Sequence, residues 1–262
     1  MLLRIGLIMT VFSLVSAVME AKIIETRFIE DVIPLVDQET WLLVDLDNCM
    51  FEGATALGHA NWFYDELQQR MQKGMSREEA IRDAYPIWIK TQKLCKVKPL
   101  ERNFVSALIT LQNKGVVIMG LTHRQPSVAD STVQQVRSLG FDFLKTAPSK
   151  ETFSVPAQTP TLYSQGILFV GDYNKKNDVF EPFLSLLSNA PKKIVFIDDK
   201  RKNVEELERL ANYDIEYIGV HYTAIEHAQP VYVREIAEFQ YKMMNQIVSN
   251  EAAMILMEQG IE

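Results

Sequence analysis

The sequence predicts an α/β chain: a doubly wound, mainly parallel sheet with a small helical cap inserted after the first strand. Two observations carry this. Five short runs, at residues 41–46, 116–121, 167–171, 194–197 and 215–220, are apolar at mostly consecutive positions rather than at alternate ones, broken by Asp45 and Glu216. That pattern suits strands buried on both faces, as in a parallel sheet covered by helices. Each run also closes on a polar or Gly-rich turn, and stretches with helical spacing lie between them, so right-handed crossovers wind the sheet.

Taken in chain order, residues 1–17 read as a signal peptide. Met1 to Arg4 form a short basic start, residues 5–15 an apolar run, and Val15-Ser16-Ala17 a small-residue cleavage site. The run is short for a bilayer span, and no Cys follows it to take a lipid. The expectation is an exported chain, periplasmic or secreted, without a stable membrane anchor. Residues 18–51 and 103–262 are assigned to the α/β core and 52–102 to the cap. In the cap, residues 61–72 have helical spacing, Gly74 ends that helix, and Ser76 with Glu79 forms a capping box for the next.

Beyond the second strand, residues 127–138 form a helix stopped by Gly140. Residues 147–165, rich in Pro, Ser and Thr, form a hairpin or loop ahead of the third strand. Residues 202–210, with Asn203 near their start, make a further helix. In the tail, Tyr232, Ile236, Phe239, Met243 and Ile247 share one helical face, which reads as packing rather than as an anchor.

Composition narrows the function. The 262 residues are 47% hydrophobic and 23% charged, a globular balance. Lys+Arg number 27 against Asp+Glu 34, a net charge of −7. Removing residues 1–17 takes away only Arg4 and leaves 26 against 34, or −8. So acidic a chain has no field to hold a nucleic-acid backbone, and no nucleic-acid partner is expected. Two cysteines, Cys49 and Cys95, cannot make a disulfide framework or a Cys-rich zinc site. A bond between those two is disfavoured because it would tie the first strand's loop to the cap.

Chemistry in such a sheet sits at the carboxyl ends of the strands. The first strand ends Asp45-Leu46-Asp47-Asn48, the second Thr122-His123-Arg124, and the third Gly171-Asp172 followed by Lys175-Lys176. The fourth ends Asp198-Asp199-Lys200. If the first and fourth strands are neighbours, Asp45 and Asp198 place hard oxygen ligands a few Å apart, the donor set of an octahedral Mg²⁺ site. A dication also removes the repulsion of buried like charges.

These four strand ends, in this order, resemble the motifs of the haloacid dehalogenase-like (HAD) phosphohydrolase superfamily over about residues 41–222. Within it the chain resembles a little-characterised family of exported bacterial proteins. The resemblance implies a Rossmann-like core and a Mg²⁺-dependent phosphatase acting on a small phosphorylated substrate. It implies Asp45 as the nucleophile that becomes an aspartyl-phosphate and Asp47 as general acid and base. Thr122 would hold a phosphoryl oxygen, and Lys176, rather than its neighbour Lys175, would neutralise charge on the transferring group. Asp45, Asp198 and Asp199, with the Asp47 carbonyl, would face Mg²⁺. Asn48, His123 and Arg124 are expected to meet substrate, Arg124 as a fork for a second phosphate or carboxylate.

Lys200, Arg201 and Lys202 read as a solvated helix start. Trp62, Tyr64 and Trp88 serve either substrate or cap packing. A receiver-type signalling domain uses similar residues, but its Asp pair comes first in the chain rather than last. A hydrolytic dehalogenase has no use for Asp47 or a metal. The alternative is a non-catalytic exported binding protein, against which the retained Asp47 argues. Neither the substrate nor the oligomeric state is read from the residues.

Overall fold

The computed structural model describes residues 21–244 and 249–260. The predicted leader, residues 1–17, and Ile247 of the apolar tail stripe lie outside the described residues. Nine strands are described: β1 (Lys22–Thr26), β2 (Thr40–Val44), β3 (Phe51–Gly53), β4 (Val97–Pro99), β5 (Val117–Thr122), β6 (Leu162–Ser164), β7 (Ile167–Phe169), β8 (Lys193–Asp198) and β9 (Glu216–Tyr222). The helices are α1 (Ala60–Gln72), α2 (Arg77–Gln92), α3 (Phe104–Asn113), α4 (Ala129–Ser138), α5 (Lys176–Ser185), α6 (Arg201–Glu206), α7 (Arg234–Lys242) and α8 (Asn250–Glu258).

Seven strands form one mostly parallel sheet in the order β1-β9-β8-β2-β5-β7-β6, and β6 is its one antiparallel member. The stretch 147–165, expected as a hairpin or loop ahead of the third strand, is mostly loop with a Phe153–Tyr163 bridge, and its end, β6, pairs with the third strand, β7, itself. Strand β1, which carries too short an apolar run to be read from sequence, adds an edge beside β9. Alternation along the central strands sends side chains to two separate cores. Leu42, Val44, Val195 and Ile197 pack under α3 and α4 with Phe104, Leu108 and Val136. Leu43, Ile194 and Phe196 pack on the other face, against Phe180 and Phe183 of α5 and Leu207 and Leu210. Both faces are thus covered, which is why these strands are apolar at consecutive positions. Each fully buried Phe contributes about 1.5–3 kcal/mol by leaving water.

The chain leaves β2 toward β5 and β7 on one side, then returns to place β8 and β9 on the other. The crevice between β2 and β8 is therefore where the winding reverses, the place where such sheets open a binding site.

The expected insertion is helical, and an antiparallel ribbon of β3 and β4 sits at its base. Ser76 accepts from the Glu79 N–H while Glu79 accepts from the Ser76 N–H, the capping box read from sequence. A third core joins Trp62, Phe63, Ile81, Tyr85 and Trp88 of the insertion to Ile236, Phe239 and Ala253 of the C-terminal helices. The apolar tail stripe thus packs on the insertion rather than on the sheet. Asp65 of α1 accepts from Tyr232 and Arg234, and Gln240 accepts from the Leu57 N–H at 2.8 Å. No helix among the described residues is long and apolar enough to cross a membrane.

Candidate functional site

Strand register builds the site. Val44 pairs with Ile197, and the next N–H, that of Asp45, still donates to Ile197 O at 2.9 Å, so Asp45 lies level with Asp198. On the other side Val44 pairs with Gly120, which brings Thr122 to the same rim. Beyond β7, Gly171 takes a φ of +80°, a left-handed turn open to glycine, and leads through Asp172 to α5. Lys176, in the first turn of α5, is fully buried and reaches back under the sheet ends.

Lys176 Nζ lies 2.5 Å from Asp45 Oδ1 and 2.6 Å from Asp198 Oδ2. It is therefore Lys176, not the exposed Lys175, that joins the two strands. Asp198 also accepts from the Lys200 N–H at 2.8 Å and from Asn203 Nδ2 at 3.0 Å to each oxygen. Asp45, Asp198 and Asp199 each offer one carboxylate oxygen, all within 4.8 Å of one another. Lys176 thus sits against two of the three carboxylates, and Lys200 acts on Asp199 and Asp45 without a direct contact. Burial pushes the Asp45 carboxyl up to about 7, with the Lys176 ammonium opposing and the Asp198 charge adding to the rise. Burial, then Asp198 and Asp45, push Asp199 well above the usual carboxylate range. Three crowded hard oxygens, short of positive charge, are a donor set that fits a divalent cation.

Asp47 stands apart from this trio. Arg124 Nε and Nη2 each donate to its carboxylate at 2.7 Å, a bidentate pair. Arg124 Nη1 donates to Thr132 Oγ1 at 3.0 Å and to Gln135 Oε1 at 2.6 Å. Four of the five guanidinium N–H groups are thereby used. Arg124 lines the cavity as expected, but in this structure its fork is held by Asp47, a residue 77 positions earlier, rather than left open to a second anion. Gln135 continues the chain of contacts, donating from Nε2 to Gln92 O at 3.2 Å and to Cys95 O at 3.1 Å, at the end of the helical insertion.

The expectation for Asn48 is corrected. It adopts φ +62°, is not among the residues lining the cavity, and donates to Asn61 Oδ1 of α1 at 3.2 Å. It ties the first strand's loop to the insertion instead of meeting substrate. His123 lines the cavity and pairs its Nδ1 with Gly171 O at 3.2 Å. Burial, then the Lys176 charge, lower its pKa to about 4, so the ring is neutral near pH 7.

A cavity of about 40 Å³ lies over these groups. Asp45, Asp47, Thr122 and Asp199 line it from below, and Phe63, Tyr64 and Trp88 roof it from the insertion. A water needs roughly 10–15 Å³ in this measure, so the cavity suits a compact group. Trp62 does not reach it and packs on Trp88 with ring centroids 6.2 Å apart. Several participants carry no sequence signal of their own. Phe63 reads as an ordinary helix apolar residue, and Asn203 as a helix-start polar one. Lys200 is not merely solvated: its Nζ donates to the Tyr64 hydroxyl at 2.5 Å. Cys49 and Cys95 are buried free thiols.

Fold and site together define an α/β protein with a lysine-bridged carboxylate cluster at the reversal point of a parallel sheet, roofed by aromatic residues. Over residues 17–254 the chain matches the family described as "Protein of unknown function (DUF2608)", and it belongs to that family. It is similar to a "Putative outer membrane protein" of Chlamydia pneumoniae, 33% identical over 94% of each chain. A protein of the same name from Chlamydia muridarum is 30% identical over 85% of this chain and 84% of that one. An "Uncharacterized protein" of Rickettsia prowazekii is 23% identical over 83% of this chain and 81% of its own. No solved structure matches the chain.

Proposed function

We propose that this chain is an exported, Mg²⁺-dependent phosphomonoester phosphatase of the haloacid dehalogenase-like type, with a Rossmann-like core. The observation that carries the reading is Lys176 seated between Asp45 and Asp198, with Asp199 completing a trio of carboxylates beside a small cavity. The relatives named as outer membrane proteins support an exported chain, in the periplasm or beyond.

Asp45, Asp198 and Asp199 would hold Mg²⁺, which when bound offsets negative charge on the phosphoryl oxygens and favours ionised Asp45. In the first half-reaction an Asp45 oxygen forms a bond to phosphorus while the ester P–O bond breaks, giving an aspartyl-phosphate. Asp47 gives its proton to the departing alkoxide. In the second half-reaction the Asp47 carboxylate takes a proton from water, which attacks phosphorus and releases phosphate with Asp45 restored. Thr122 donates to a phosphoryl oxygen, and Lys176 balances charge from below. The Arg124 pair occupies both oxygens of Asp47 and fixes its position. Proton transfer to the departing oxygen requires that pair to loosen.

The test is hydrolysis of p-nitrophenyl phosphate by the purified chain lacking residues 1–17. Turnover with Mg²⁺ is expected, lost with chelator and lost in Asp45→Asn. Absence of turnover above the Asp45→Asn control across a broad phosphomonoester panel would overturn the proposal. That result would favour the second reading, a non-catalytic exported binding protein. The closed Arg124–Asp47 pair is the observation on its side.

A further inference from the structure

Beside the reaction cavity lies a wider bowl of about 450 Å³. The two share Tyr64, His123, Asp172, Lys200 and Asn203 as walls, so they are adjoining chambers of one cleft. Their charges differ. The inner chamber is rich in carboxylates, whereas the bowl collects Arg77, Lys175, Lys200 and Lys202 against Asp172 and Glu206. In a chain of net charge −7, four cations to two carboxylates is a local reversal of sign.

The cations are also short of partners. Lys202 reaches Glu206 at 4.0 Å. Lys200 rests on the Tyr64 ring, 4.2 Å from its centroid. Among the described residues, Arg77 and Lys175 form no salt bridge. Asp172 is held by Gln125 Nε2 at 2.9 Å, and its burial raises its pKa. Positive side chains that outnumber their carboxylate partners, gathered in a concave wall, focus anions there.

Resting on the phosphatase reading, we propose that the bowl binds a second anionic group of the substrate. The substrate class is then a phosphomonoester whose leaving group carries a carboxylate or a further phosphate. The phosphoryl group enters the inner chamber, and the distal anion sits among Arg77, Lys175 and Lys202. The role expected of Arg124 thus passes to these side chains, because Arg124 is spent on Asp47.

Two measurements test this on the full chain without residues 1–17. The first is kcat/KM for 3-phosphoglycerate relative to glycerol 1-phosphate, whose leaving group is neutral. A preference of at least about tenfold is expected at low salt, equivalent to about 1.4 kcal/mol. It should shrink as salt screens the bowl and collapse in the double variant Arg77→Gln/Lys175→Gln. Lys192→Gln, which removes an exposed charge paired with Glu39, should leave the ratio unchanged. The second is calorimetric titration of 3-phosphonopropionate against methylphosphonate, neither of which can be hydrolysed as an ester. The first should bind about tenfold tighter, again through Arg77 and Lys175.

Turnover of both esters at equal kcat/KM would overturn the second-anion inference and leave the phosphatase reading standing. No turnover, with the phosphonopropionate preference present and lost in the double variant, would overturn the phosphatase reading while supporting the anion bowl. Equal binding of the two phosphonates would overturn the bowl whether or not the chain hydrolyses esters.

Discussion

Lys176 is the most exposing place to perturb this molecule. It is fully buried and makes two charge-assisted contacts, at 2.5 Å with Asp45 and 2.6 Å with Asp198. Lys176→Met keeps the volume and removes the charge, so the packing cost stays small. What remains is a trio of carboxylates without the ammonium that touches two of them, and with Lys200 acting without a direct contact. Breaking one side of a buried ion pair costs about 3–5 kcal/mol, and two contacts of this kind at about 1.5–3 kcal/mol each give the same scale.

The cost should depend on pH. Asp45 already titrates at about 7 with Lys176 present, and removing the ammonium raises it further. Asp45 can then shed its charge by taking a proton. The full loss is expected near about pH 8 and should shrink toward about pH 5 as protonation relieves the repulsion. Mg²⁺ should recover part of it, since a ligand present at about 100 times its Kd contributes about 2.7 kcal/mol. Urea titration followed by tryptophan fluorescence reads all of this, because Trp41, Trp62 and Trp88 are buried. A loss below about 1 kcal/mol at the higher pH, the scale of an exposed pair, would refute the reasoning. So would a loss that is the same at both pH values.

Three further outcomes are expected. Arg124→Lys loses the bidentate grip on Asp47 and the contacts to Thr132 and Gln135; a fall of about 2–4 kcal/mol in the same urea titration, with reduced ester turnover, is expected, and unchanged values would count against the role given to Arg124. His123 has a folded pKa of about 4 against 6.5 for the free side chain, so its contribution is complete above 6.5 and is lost as pH falls through about 4. Stability of His123→Asn should therefore decline less than wild type over that window, and parallel declines would contradict the assignment. Burial pushes the Cys95 thiol up to about 11 and Cys49 well above its ordinary value, so an aromatic disulfide reagent near neutral pH should label neither until denaturant is added. Rapid labelling of the native chain would show one of them to be accessible.

The strand ends were legible because strands covered on both faces are apolar at consecutive positions, so Asp45, Thr122 and Asp198 stand out as the first polar residues each strand reaches. Their convergence then follows from the winding order. The capping box at Ser76 was legible because both partners lie within one helical turn. The pairing of Arg124 with Asp47 was not, since two residues 77 positions apart meet through register and helix placement that no local pattern encodes. Asn48 misled for a related reason: its left-handed backbone turns it toward α1, and the sequence shows only a polar residue beside two acids. The short β1, β3 and β4 escaped notice because three to five residues cannot display a period. The tail stripe was visible, but a stripe does not say which surface it covers.

The run of contacts from Asp47 through Arg124 and Gln135 to Gln92 and Cys95 crosses from the sheet to the far end of α2. Any rocking of the helical roof would therefore tug on the partner of Asp47, so roof posture and the placement of that carboxylate are geared together. A replacement at Gln92, remote from every carboxylate of the trio, would then register as slowed ester turnover before it registered as lost affinity.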